Sequence, residues 1–118
     1  DKRVTAVAHL CCFADFRTMV ELGAHDGHGI YLTVPGLLKE ADGGSIAALI
    51  APRPQLICVG EADHLSPPKA VARAMDELRP AYASVPDKLE FISEPGIGHA
   101  ETPSMRAAVL RFFERYLG

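Results

Sequence analysis

The chain has 118 residues, of which 48% are apolar and 23% charged, and its formal net charge is −3. This composition is typical of one small globular domain, and the lack of a basic surplus argues against a nucleic-acid-binding protein. No apolar run approaches the roughly 20 residues of a membrane-spanning helix, and no secretory leader is predicted.

The three cysteines, Cys11, Cys12 and Cys58, indicate a reducing environment. Adjacent cysteines rarely pair with each other, and an odd count leaves one thiol over. Cys58 lies within an apolar run and is predicted to be a buried thiol. We therefore expect no disulfide framework and a cytoplasmic protein without a membrane partner.

The first strand is predicted over residues 4–10, VTAVAHL, because this run is nearly all apolar, as in a strand covered on both faces. Residues 11–44 then form an irregular segment, here called the excursion, with short helices predicted over 16–22 and 35–39. Loops of this length are usually functional or pack over something. We expect the excursion to line the mouth of a pocket.

Regular alternation begins after the excursion. Ser45 is predicted to cap a helix, IAALIA, that the following prolines end. The run QLICVG, residues 55–60, predicts a buried strand because it is continuously apolar and bounded by Pro and Gly. Ser66 is predicted to cap a helix that reaches about residue 79.

A third strand is predicted over residues 88–93, KLEFIS, and Thr102 is predicted to cap a final helix that begins with Pro103. Strands that alternate with helices indicate right-handed crossovers and a parallel sheet. The predicted class is therefore α/β, with about three parallel strands and flanking helices.

Two loops, EADHLSPP and EPGIGHAE, leave the carboxyl ends of the second and third strands. They place Asp63 and His99 on the same rim, where parallel sheets bind ligands. A carboxylate beside a histidine fixes the ring tautomer and stabilises the imidazolium. Gly96 and Gly98 would let the loop turn sharply and keep space beside the ring. Spacing alone leaves open that His99 is an ordinary loop histidine and Asp63 a turn residue.

Two longer stretches carry a family resemblance. IAPRPQLICVGEADHLSPP, followed by an amphipathic helix, a strand, PGIGHAETPSMR and the closing helix FFERYLG, resembles the C-terminal part of dienelactone-hydrolase-like and acetyl-xylan-esterase-like α/β-hydrolases. YLTVPGLLKEADGGSIAALIAPRP is similar to the segment that precedes the acid strand in those esterases.

The resemblance covers nearly the whole chain. It implies a three-layer α/β-hydrolase architecture in which residues 1–118 are a single partial domain and residues 55–118 are the end that bears the acid and the histidine. It implies that Asp63 is the acid and His99 the base of a catalytic triad, with a small-molecule ester as substrate. It implies neither a cofactor nor a metal.

The nucleophile of such enzymes lies on a G-x-S-x-G or G-x-C-x-G elbow between a strand and a helix, and this elbow is missing from the sequence. The nearest string, GGSIA, gives the order Ser45, Asp63, His99, but no strand precedes Ser45 to aim its side chain at the rim. Cys11 and Cys12 follow a strand, yet CCFADF has no glycine elbow, so we predict apolar packing for them.

The string His25-Asp26-x-His28 offers two histidines and a carboxylate, but further ligands would have to come from elsewhere. His9 and His64 are unsupported by their spacing, and His64 is predicted to face solvent. We therefore predict no metal site.

Two functions follow from these features. The first is the C-terminal half of a serine- or cysteine-dependent ester hydrolase that supplies the acid and base while the nucleophile lies outside the chain. The alternative is a non-catalytic interaction or dimerisation module derived from an α/β-hydrolase. Under either, the first strand lacks a neighbour on one side, so a missing N-terminal half or a second copy is expected to pair there.

Overall fold

The computed structural model describes the backbone of residues 1–118 and every side chain except that of Tyr31. Three parallel strands form one sheet in the order β1-β2-β3: β1 is Val7–Leu10, β2 is Gln55–Gly60 and β3 is Leu89–Glu94. The predicted class, α/β with three parallel strands, is confirmed. The bounds of β2 match the prediction, and β3 lies one residue further along than 88–93.

The first strand is shorter than the 4–10 predicted: it begins at Val7, and residues 1–4 form a turn in which the amide of Val4 donates to the carbonyl oxygen of Asp1. The guanidinium of Arg53 holds this turn: Nη1 donates to the carbonyl oxygens of Asp1 at 3.1 Å and Val4 at 3.0 Å. The carbonyl groups of Asp1 and Val4 thus accept hydrogen bonds from the Arg53 guanidinium and not from a neighbouring strand. An apolar composition alone did not reveal this contact.

Five α-helices accompany the sheet: α1 is Phe16–Glu21, α2 is Leu37–Glu40, α3 is Gly43–Ala48, α4 is Pro68–Leu78 and α5 is Pro103–Leu117. Four 3₁₀ segments lie at Ala24–Gly27, Ile30–Leu32, Arg79–Tyr82 and Pro86–Lys88. None of the described helices is both long enough and apolar enough to span a bilayer.

The predicted caps have mixed outcomes. Thr102 caps α5 as predicted, its Oγ1 accepting from the amide of Met105 at 3.1 Å. The prediction for Ser45 was wrong: Asp42 caps α3, and Ser45 sits in the first turn, its hydroxyl accepting from the Asp42 amide at 2.8 Å. The prediction for Ser66 was also wrong, since α4 begins after Pro67 without a side-chain cap.

The sheet is covered on both faces. On one face, Ile57 and Val59 pack with Phe13 and the buried side of α4. On the other face, Leu56 and Cys58 pack against α5 through Met105 and Phe112. This gives the three layers that the sequence predicted, with the sheet in the middle.

Candidate functional site

Asp63 lies three residues beyond β2 in a tight turn. Its amide donates to the carbonyl oxygen of Gly60 at 3.2 Å, and its Oδ1 accepts from the amide of Leu65 at 2.9 Å. The Asp63 side chain is fully buried, so a carboxylate is held in a fixed orientation at the carboxyl end of the sheet. One of its oxygens, Oδ2, is left to face the next loop.

His99 lies in the loop after β3 and contacts that oxygen: Nδ1 of His99 is 2.9 Å from Oδ2 of Asp63. Carboxylate oxygens only accept hydrogen bonds, so Nδ1 carries the hydrogen and Nε2 of the neutral ring keeps its lone pair. The histidine side chain is 46% exposed, whereas the carboxylate side chain is 0% exposed. The pair therefore combines a partly exposed imidazole with a carboxylate that is shielded from water.

The acid loop and the histidine loop are joined by backbone contacts. The amide of Ala62 donates to the carbonyl oxygen of Ile97 at 2.8 Å, and the amide of Glu61 donates to that of Glu94 at 2.9 Å. Gly60 is required at this junction, because a Cβ there would come within 2.3 Å of the Ile97 oxygen. The short Asp63–His99 distance thus follows from backbone packing as well as from the pair itself.

The glycines of the histidine loop differ in what they do. Gly96 has φ of 71°, a left-handed conformation that favours glycine. Gly98 has no such angle, and a Cβ there would meet only the Ala62 oxygen, at 3.9 Å. A sharp turn that requires glycine is therefore confirmed at Gly96, whereas the backbone angle of Gly98 is open to other residues.

The base of the same loop is closed by a side-chain contact. Thr102 Oγ1 donates to Oε1 of Glu94 at 3.0 Å, which joins the end of β3 to the start of α5. Sequence reasoning assigned Thr102 as a cap but missed its contact with Glu94. The signal was present as two polar residues that flank the loop on either side of His99.

The structure puts Ser45 away from this pair. Its hydroxyl donates to the carbonyl oxygen of Asp42 at 2.9 Å, and it borders a polar cleft between α1, α3 and α4 that does not include His99. The structure gives it a helix in place of the strand-to-helix elbow that a nucleophile needs.

Cys11 and Cys12 border the site, which the sequence did not reveal. Cys11 is buried at the end of β1 with φ of 53°, and its Sγ lies 3.4 Å from the carbonyl oxygen of Ala100 in the histidine loop. Burial, and then the charge of Asp63, raise the pKa of the Cys11 thiol. Burial likewise raises the pKa of Cys58 to about 11. Both thiols are therefore poorly disposed to form the thiolate of a nucleophile. All three cysteines are free, and Cys58 is buried as predicted.

The histidines of the excursion are engaged individually. His25 Nε2 lies 3.0 Å from Oδ1 of Asp26, and His28 Nε2 lies 2.7 Å from the carbonyl oxygen of Leu65. Among the side chains that the structure describes, no three His, Cys, Asp or Glu residues come together in a metal-binding group. His9 contacts Gln55 instead, and His64 is exposed as predicted.

A cavity of about 220 Å³ opens beside His99. Its walls come from the end of β1, from the acid loop and from the excursion, including Phe16, Met19 and Leu32. The excursion thus borders the rim that carries Asp63 and His99, as the sequence led us to expect.

No family model matches the chain. A protein of Bacillus subtilis (strain 168), named "Putative hydrolase YtaP", is 34% identical to it over 119 residues, which cover 99% of this chain and 40% of that protein. The chain therefore spans 40% of the length of this curated relative.

Two solved structures share the fold. TT1662 from Thermus thermophilus is 30% identical, with a TM-score of 0.59 over 73% of this chain and 36% of its own. The methylesterase BT1017 is 26% identical, with a TM-score of 0.62 over 98% of this chain and 25% of its own. In both, the similarity is to a minor part of a larger protein.

Proposed function

We propose that this chain, which is the C-terminal part of an α/β-hydrolase, supplies the acid and the base of the catalytic triad of an ester hydrolase. The observation that carries the proposal is the 2.9 Å contact between Nδ1 of His99 and the buried carboxylate of Asp63. The hydrolase named among its relatives and the methylesterase among its structural neighbours support a hydrolytic reaction and an ester substrate.

The roles follow from the geometry. A serine or cysteine nucleophile attacks the ester carbonyl, and Nε2 of His99 takes its proton. Asp63 keeps Nδ1 protonated and stabilises the imidazolium. His99 then gives the proton to the leaving alcohol. A water loses a proton to Nε2 and attacks the acyl intermediate, and the nucleophile leaves with the proton that His99 returns to it.

The nucleophile, in this proposal, comes from outside the 118 residues. Ser45 is held by Asp42, and Cys11 by Ala100, so neither has the exposed position that an elbow provides. This chain covers only 40% of the hydrolase relative. We propose that the part of the relative that it does not cover corresponds to the segment that carries the elbow.

The partner is proposed to bind at β1. Among the described residues, β1 pairs with β2 on one side and with no strand on the other. The remainder of the hydrolase would extend the sheet there by strand addition. The same open edge favours the second candidate function, a dimerisation module in which two copies pair through β1.

The test is an activity assay on a restored enzyme. We expect that the part of the Bacillus relative not covered by this chain, joined to this chain, hydrolyses simple esters. His99→Ala should lower kcat/KM by about 10³-fold or more, because the proton acceptor is lost. His64→Ala is the matched control, since His64 is an exposed histidine next to Asp63, and it should leave the rate unchanged.

Two outcomes would contradict the proposal. Near-full activity in the His99→Ala chimera would remove His99 from the mechanism. An inactive but folded chimera, together with a stable dimer of the chain alone, would favour the interaction module.

A further inference from the structure

The cavity beside His99 has mainly apolar walls. Leu10, Ala14, Phe16, Met19, Leu32 and Leu65 supply them. With a volume of about 220 Å³, it exceeds the roughly 150 Å³ of an apolar protein cavity that holds benzene. The space therefore suits an aromatic ring or a short aliphatic chain.

Three polar side chains that line the cavity contact backbone carbonyl oxygens. His28 Nε2 lies 2.7 Å from the carbonyl oxygen of Leu65, and the Ser66 hydroxyl lies 3.5 Å from that of Cys11. The Cys11 thiol is directed to Ala100. These contacts occupy the polar side chains that would otherwise bind the hydroxyl groups of a sugar, whereas Nε2 of His99 stays available.

The excursion wall contacts the acid loop. Gly27 lies close to the side chain of Leu65, since a Cβ at Gly27 would come within 2.5 Å of Leu65 Cδ2. The contact between His28 and Leu65 joins the same two segments. The cavity is therefore bounded by a wall that is anchored within a few residues of Asp63.

We infer that this cavity receives the apolar group of the ester, with an upper size near that of a benzyl group, and that Leu32 is a specificity-determining residue. The inference rests on the proposed function for the identity of the reaction. We therefore expect the cavity to bind esters of apolar acids or alcohols and not esters of carbohydrates. The apolar group can belong to the acyl or to the alcohol side, and the experiment distinguishes the two.

The first measurement uses the 118-residue chain itself. Toluene is added, and the NMR shifts of the Met19 and Leu32 methyl groups and of the His99 ring are followed. We expect saturable shifts with toluene and none with xylose, a polar probe of comparable size. Leu32→Phe should weaken toluene binding at least tenfold by filling the space. Leu22→Phe is the matched control, because Leu22 is 47% exposed on the same segment and does not line the cavity.

A second variant, Leu32→Ala, keeps the test valid if the phenylalanine of Leu32→Phe disturbs the fold. It should retain toluene binding and bind naphthalene, for which we expect no binding to the native chain. Absence of toluene binding to the native chain, or binding that Leu32→Phe leaves intact in a folded protein, would overturn the inference. Because this readout needs no turnover, it is independent of whether the chimera is an enzyme.

The second measurement compares two isomeric esters in the chimera. Methyl phenylacetate carries its benzyl group on the acyl side, and benzyl acetate carries it on the alcohol side. Leu32→Phe should lower kcat/KM for one of them by about 10-fold or more, in the range that pocket size commonly controls, and should affect the other much less. The isomer that slows identifies the side. Equal effects on both would overturn the assignment of Leu32.

Discussion

His9 is a partly buried histidine on the first strand, where burial favours the neutral ring. It lies on β1, its ring packs edge-on against Phe13 with centroids 5.9 Å apart, and its Nε2 is 2.9 Å from Nε2 of Gln55. Gln55 is fully buried, and its Oε1 accepts from the Tyr82 hydroxyl at 2.9 Å. Burial lowers the pKa of His9 below its ordinary value.

This shift makes the stability of the fold depend on pH. The unfolded chain binds a proton at His9 near pH 6.5, whereas the folded chain binds it only at lower pH. The neutral His9 side chain therefore stabilises the fold above pH 6.5. This contribution is lost as the pH falls through the pKa that His9 has in the folded chain. The slope for one proton is at most about 1.4 kcal/mol per pH unit. Urea titrations at pH values from 8 to 5 measure this change in the free energy of unfolding.

The comparison with His9→Gln isolates the effect, since every other titrating group is shared. The wild-type free energy of unfolding should fall relative to that of His9→Gln below pH 6.5. His64→Gln, at an exposed histidine, should follow the wild type. Parallel curves for the wild type and His9→Gln would show that His9 titrates alike in both states.

At the residue scale, the sequence located the Asp63–His99 pair better than its surroundings. Residues 36 apart were placed together because both follow parallel strands whose ends share one rim. Their catalytic roles stay predictions. The contact of Cys11 with Ala100 spans 89 residues, and no periodicity or motif in the chain indicates it.

The carboxylate of Asp42 forms hydrogen bonds with residues near both ends of the excursion. This side chain is 8% exposed and accepts from the amides of Phe16 at 2.6 Å, Arg17 at 3.2 Å and Gly43 at 2.6 Å. It thus caps α3 and also satisfies free N–H groups at the start of α1. One carboxylate joins the two ends of the excursion.

Asp42 should therefore stabilise more than an ordinary cap does. Asp42→Ala leaves several N–H groups without their charged acceptor, and we expect a loss of about 2–3 kcal/mol in the free energy of unfolding. Asp42→Asn, which keeps one acceptor oxygen, should lose less. Denaturant titration gives both values.

Asp26→Ala is the control, because the Asp26 side chain is 81% exposed on the same segment. It should change stability by no more than about 0.5 kcal/mol. A similar small change for Asp42→Ala would mean that water replaces the carboxylate without cost and that the excursion is held by its apolar contacts.

At the element scale, strands and long helices were predictable and cap identities were not. The continuous apolar run of β2 and the stripe of α4 specify both elements from local pattern. Asp42 and Ser45 are both common cap residues, three positions apart and separated by two glycines. The contact of Asp42 with α1 decides between them, and that contact depends on the tertiary fold. In the excursion, α1 and α2 lie close to the short helices predicted over 16–22 and 35–39, whereas the two 3₁₀ segments were not predicted.

At the scale of the whole molecule, β1 and β3 each pair only with β2 among the described residues, so β1 has an open edge. That the three strands are parallel and lie in one sheet was predictable, because strands alternate with helices along the chain. What pairs with the outer side of β1 was not predictable, because an unpaired edge is compatible with either a larger sheet or a second copy.

The backbone of β1 allows this question to be tested directly. The amides of Val7 and Cys11 donate to the carbonyl oxygens of Pro54 and Cys58, each at 3.0 Å. Alternation along a strand directs the amide of Ala8 to the opposite edge. We expect the Ala8 amide to exchange rapidly with solvent in the chain alone and to become protected when the rest of the hydrolase is joined to it. The Val7 amide, already bonded, is the internal control in the same hydrogen-exchange experiment.

A proline tests the same edge by mutation. Ala8→Pro removes the outward N–H, while β2 keeps its contacts with Val7 and Cys11. The variant should weaken pairing and reduce the esterase activity of the chimera, because the nucleophile is then no longer held against His99. Protection of Ala8 in the chain alone, accompanied by a dimer in sedimentation, would instead assign the edge to a second copy. Rapid exchange at Ala8 in an active chimera would exclude β1 as the joining strand, since a paired amide cannot exchange freely while the sheet is intact.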